Sequence, residues 1–120
     1  MLQILQTDDC EKYYPIALDF GISTSEMHVV EAIDNELVIA FGIFHYKDNS
    51  VAVDYIETDD TDLFDGIMRS ILFIALNKGK DNVFFNISDK DGIDKMNALH
   101  FPVNSSVNIS ELFELLKKCK

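Results

Sequence analysis

Residues 51–85 read VAVDYIETDDTDLFDGIMRSILFIALNKGKDNVFF, and the other segments find their places around them. Residues 51–57 are rich in β-branched and aromatic side chains and predict a strand. An acidic turn follows. Over residues 61–78, Phe64, Ile67, Met68, Ile71, Leu72 and Ala75 recur at helical spacing and predict a long helix. Leu63, Phe73, Ile74 and Leu76 widen that stripe, so most of the circumference is expected to be buried. Gly79 stands just past Lys78, where a C-terminal cap at positive φ belongs. Residues 82–87 then predict a second buried strand. A strand–helix–strand unit sets a helix N-terminus beside the end of a strand, a common seat for anionic cofactors. Here that entrance carries Asp59, Asp60, Asp62 and Asp65. The architecture suits a phosphate-bearing ligand and the local charge opposes one.

Upstream, residues 27–33, 37–46 and 51–57 predict three strands, with Asp34, Asn35 and Glu36 at one turn and residues 47–50 at the next. They form an antiparallel meander. Gly42, inside the second strand, marks a bulge or a close backbone approach. Residues 2–6 predict a first strand. Residues 10–20 predict a helix that Pro15 shortens, kinks or delays. Downstream, residues 91–99 predict a helix capped by Asp89 or Asp91, and residues 101–109 an extended segment. Ser110 is expected to cap a last helix with Leu112, Phe113, Leu115 and Leu116 facing inward. The 120 residues contain no internal repeat or low-complexity linker and predict one mixed α/β (α+β) domain, residues 1–120.

Ten Lys and Arg against 21 Asp and Glu give a net charge of −11. That balance disfavours nucleic acid and anionic membranes, and suits a cationic partner. The N-terminus lacks the basic and apolar regions of a signal peptide, and the longest apolar run is too short for a membrane span, so a cytoplasmic location is expected. Cys10 and Cys119 form no CxxC pair, and Cys119 sits in a basic tail that would lower a thiol pKa. His28 and His45 could neighbour each other across the meander, yet no ligand spacing supports a metal, and none is expected. The aspartates of the helix entrance read as capping and dipole compensation.

The order strand, helix, three-strand meander, long helix, strand, helix, strand resembles the GNAT acetyltransferase superfamily, best over residues 27–101. Local matches support it. Ala40, Phe41, Gly42, Ile43 and Phe44 resemble the family's second hairpin strand, and Gly79 before Asn82 and Val83 resembles its helix–Gly–strand junction. Leu99, His100 and Phe101 resemble its Leu-Gly-Phe helix end, with His100 replacing the glycine. The family's Q/R-x-x-G-x-G/A diphosphate loop falls on Leu63, Phe64, Asp65, Gly66, Ile67 and Met68, where Gly66 alone is retained.

The resemblance implies an acyl-CoA-dependent N-acyltransferase with acetyl-CoA or another acyl-CoA as cofactor and a small-molecule or cationic amine as acceptor. Gly66, Ile67 and Met68 would then meet the cofactor's phosphates. Backbone amides of Ile56 and Thr58 would polarise the thioester, and Glu57 would act as the base. Asp54 and Tyr55 are further candidates; Tyr13 and Tyr14 read as packing residues. The position where many members carry a tyrosine falls on Met96. The alternative is a non-catalytic binding, regulatory or dimerisation domain that keeps the fold, with a second copy of the chain as partner.

Overall fold

In the computed structural model, residues 1–118 are described. Cys119 lies outside the described residues, and the basic-tail reading of its thiol with it. Six strands form one sheet in the order β1 (Leu2–Thr7), β2 (His28–Asp34), β3 (Leu37–Lys47), β4 (Ser50–Glu57), β5 (Asn82–Phe85) and β6 (Ser106–Asn108). Neighbours are antiparallel except β4 and β5, which run parallel. The helix α2 (Thr61–Asn77) makes the crossover between those two.

Asn35 and Glu36 both take positive φ, so the β2–β3 turn twists with its strands. Pro15 occupies the first turn of α1 (Tyr14–Asp19), where a missing N–H costs nothing, and the residues before it form only a 3-10 turn (Glu11–Tyr13). The side chain of Asp60 caps α2 by accepting from the amides of Asp62 at 2.8 Å and Leu63 at 3.2 Å. At the other end Gly79 has φ +81°, while Lys80 N donates to Ala75 O and Gly79 N to Leu76 O, each at 3.0 Å. This double closure is the Schellman motif. The same closure ends α3 (Lys90–Ala98), where Phe101 N donates to Met96 O at 2.9 Å and His100 stands at φ +67° in the glycine position.

The larger core lies between the sheet and α2, with α3 and α4 (Ile109–Lys118) adding Met96, Leu112 and Leu116. Phe64, Ile67, Met68, Ile71, Leu72 and Ala75 of α2 are fully buried there. Each of its larger apolar side chains contributes about 1.5–3 kcal/mol before ordering costs. On the opposite face Tyr13 and Ala17 pack on Val29, Phe41, Ile43 and Tyr55.

Several expectations need correction. Phe73 is 56% exposed and Leu115 58%, so α2 is not buried all round and α4 turns one leucine outward. Phe73 instead stacks on Phe113, with ring centroids 5.0 Å apart. Ser110 lies inside α4. Its cap is Asn108, whose Oδ1 accepts from Glu111 N at 3.0 Å, so the first turn begins two residues earlier, at fully buried Ile109. The strand predicted over 82–87 stops at Phe85, and that over 101–109 shrinks to β6 after a turn at Asn104. His28 pairs with Phe44 and His45 with Ala52, so the two histidines are not directly opposed.

Candidate functional site

The register between β3 and β4 slips where Ile43 pairs with Tyr55 and Phe44 with Val53. Asp54 is the extra residue of this β-bulge. The bulge changes which residues face the main core: Val51 and Val53 before it, Ile56 after it. It leaves Tyr55 on the opposite face, in the α1 cluster. The parallel pairing of β4 with β5 ends at Val53 and Phe85, closed by Asn86 N donating to Val53 O at 2.9 Å. Beyond that point β4 runs on to Glu57 with no β5 partner. The sheet is therefore open on one side of residues 55–57.

A cleft of about 290 Å³ lies beside this opening. Its walls come from the loop after α1 (Phe20, Ser23, Glu26), from β3 and β4 (His45, Asp54, Tyr55) and from the segment leading into α3 (Asn86, Ser88, Asp89). Asp54 is only 7% exposed. Both its oxygens are occupied: Oδ2 accepts from His45 Nδ1 at 2.7 Å and Oδ1 from Asn86 Nδ2 at 2.8 Å. Hydrogen bonding of this kind is what a buried carboxylate requires. Phe20 stacks on Tyr55 at 4.4 Å. Burial, helped by a hydrogen bond to Glu57, pushes the Tyr55 phenol well above its ordinary pKa, so it keeps its proton at neutral pH. Carboxylates, aromatic faces and hydroxyls in one small cleft suit an organic cation.

The residues predicted for the site are spread more widely. Glu57 is exposed at the end of β4, paired with Phe41, and lies outside the cleft walls. Ile56 turns its side chain into the main core, and Thr58 turns its hydroxyl to the amide of Asp60 at 3.1 Å. The stretch matched to the diphosphate loop is helix throughout, since α2 starts at Thr61. Gly66, Ile67 and Met68 are thus beyond the first turn, with their amides in the helical ladder. Ile67 and Met68 are fully buried, and a Cβ on Gly66 would sit 3.1 Å from Ile4 Cδ1. A phosphate at this end meets the Asp60 cap first. Asp65 is partly neutralised by Arg69, whose Nε lies 2.9 Å from both carboxylate oxygens. His45 and Asn86 were not singled out as site residues; a lone acid in an apolar strand, with a histidine on the strand before, is the signal for them. Among the described residues no group of three or more His, Cys, Asp or Glu could hold a metal ion.

Glu31, 5% exposed, forms a separate polar cluster at the far side of the α1 layer. It accepts from the Tyr13 hydroxyl, and Lys12 Nζ lies 2.7 Å from Oε2. Burial opposes its charge, but the hydrogen bonds from Lys12 and Tyr13 outweigh it and hold the carboxyl below the usual range. A depressed folded pKa gives stability above the unfolded value of about 4.3, lost as pH falls through the folded one. Glu31→Gln should therefore melt below the parent at pH 6, with the gap narrowing as the pH drops under about 4.3. Thermal melts across that range check this; a gap independent of pH would contradict it.

Against known proteins, no protein-family model and no curated protein matches the sequence. Solved structures do match. The chain is similar to the ribosomal-protein-alanine N-acetyltransferase of Brucella melitensis biovar Abortus 2308, with a TM-score of 0.67 and 11% identity over 89% of this chain and 96% of that one. An aminoglycoside N-acetyltransferase in complex with CoA gives a TM-score of 0.62 and 13% identity over 89% and 91% of the two chains. An acetyltransferase of the GNAT family from Staphylococcus aureus Mu50 gives 0.58 and 10% over 83% and 81%. The chain has the GNAT fold: a mixed, mostly antiparallel sheet with the long helix after the third meander strand. No helix of the described residues is long and apolar enough to cross a membrane.

Proposed function

We propose that this protein is an acyl-CoA-dependent N-acyltransferase of low cofactor affinity, acting on a small cationic amine. The observation that supports it is the open edge of β4 beyond Val53, next to a cleft that carries Glu26, Asp54 and Asp89. In this reading the thioester lies along that edge, where the amides of Ile56 and Thr58 meet its carbonyl. Glu57, at the end of that edge, and the cleft groups are the candidates for the proton transfer of amide formation. The phosphates lie toward the start of α2. There the Asp60 cap and the helical winding of Gly66, Ile67 and Met68 leave few free amides, which is why the affinity is expected to be low. A CoA complex among proteins of the same fold supports acyl-CoA as the donor class.

Acetyl-CoA incubated with the protein and ethanolamine, tyramine, spermidine or a short peptide with a free N-terminus, followed by mass spectrometry, tests the proposal. Amide product that requires protein, donor and amine together is expected. The same capped helix entrance favours a second reading, a binding or dimerisation domain without transfer activity. Absence of product with every amine, together with absence of acetyl-CoA binding, would establish that one instead.

A further inference from the structure

We infer that His45, oriented by Asp54, takes the proton from the acceptor amine in the cleft; this rests on the acyl-transfer reading above. Both residues line the cleft, one from β3 and one from the bulge of β4. Asp54 is only 7% exposed, and its oxygens accept from His45 at 2.7 Å and from Asn86 at 2.8 Å, which suits it to hold the imidazole rather than to meet the amine. A carboxylate only accepts, so the imidazole proton stands on Nδ1 and the lone pair on Nε2. Nε2 has no hydrogen-bond partner among the described residues. The bulge makes this geometry, since without the extra residue β4 would have no acid between the two faces. Glu57, by contrast, is exposed at the end of β4 and lies outside the cleft walls.

The chemistry balances without a further reactant. The acceptor arrives as an ammonium ion and gives one proton to Nε2, which passes it to solvent. The freed nitrogen lone pair forms the C–N bond to the thioester carbonyl carbon, and the C–S bond breaks with its electron pair on sulfur. The second nitrogen proton ends on the departing thiolate. The products are amide, free thiol and one released proton. The charged or titratable groups that line the same pockets as His45 are Asp54 and Tyr55 from β4, Glu26 from the loop after α1, Asp89 at the start of α3, Lys47 at the end of β3 and Asp48 in the turn after it.

Two probe amines separate this role from a structural one. Ethanolamine is an ammonium ion at neutral pH and needs a base; methoxyamine is already unprotonated and does not. His45→Gln should lower kcat/KM for ethanolamine by on the order of 100-fold or more, and for methoxyamine by less than about 10-fold. Asp54→Asn, which no longer holds the Nδ1 proton with an anion, should lower kcat/KM for ethanolamine by about 10-fold or more and leave methoxyamine much less affected. Melting curves of both variants establish that they fold. Equal losses for the two amines, or a selective loss in Glu57→Gln rather than His45→Gln, would overturn the assignment while leaving acyl transfer standing. Absence of transfer to either amine by the parent protein would remove the acyl-transfer reading and this one with it.

Discussion

Gly42→Val is expected to cost about 3 kcal/mol of stability, the upper end for an overpacked core, and to lower the melting temperature accordingly. A Cβ at this position would stand 2.7 Å from Ile67 Cγ2 and 3.1 Å from Ile71 Cδ1, both fully buried side chains of α2. No exposed flexible chain end can give way there. Ordinary glycine arithmetic points the other way, since an added side chain in a strand usually helps by about 0.5–1 kcal/mol. The short contact decides the sign. Gly42→Ala should lose about 1 kcal/mol or more through the same clash. Ile67→Leu moves the offending methyl at constant volume and should cost under about 1.5 kcal/mol alone. In that background Gly42→Ala should cost much less than in the parent, a coupling of about 1 kcal/mol that denaturant melts of the four proteins can resolve. Additive effects would mean that α2 does not approach the sheet so closely at Gly42.

The close approach at Gly42 was readable from the sequence because an interior strand tolerates a glycine only where something needs the space. The ends of α2 were readable for a similar reason. Asp60 and Gly79 each supply something the helix backbone lacks at its termini, so their chemistry announces their position. The bulge at Asp54 was not readable. A bulge is a mismatch between two strands, and residues 51–56 show no alternation from which a change of face could be noticed. Without the bulge, His45, Asp54 and Asn86 have no common location in the sequence, being 9 and 32 positions apart from one another through Asp54. The exposure of Phe73 and Leu115 was hidden differently. A helix apolar on most sides gives no sign of which apolar side is left over once its neighbours are placed.

The helix entrance gives the larger functional effect. Replacing Asp59, Asp60 and Asp62 together with Asn should tighten acetyl-CoA binding by about 10- to 150-fold. Each carboxylate repels a phosphate by about 0.5–1 kcal/mol at ~8 Å and an effective dielectric of 40–80, so three contribute about 1.5–3 kcal/mol. Asp65 is left in place because Arg69 already offsets its charge. Asn is as good an N-cap as Asp, so Asn at 60 keeps the bonds to the amides of Asp62 and Leu63. The cost to stability is then confined to lost dipole compensation, about 0.3–1 kcal/mol for a charge near the first turn. Calorimetry at low and moderate salt measures the effect. The gain should shrink as salt rises, because exposed charges are screened within about 8–10 Å. Affinity that stays unchanged in a folded triple variant would mean that charge does not limit binding here. The limit would then lie in the helical winding of residues 63–68, where Gly66 is the only small residue left and its amide is already spent on the helix.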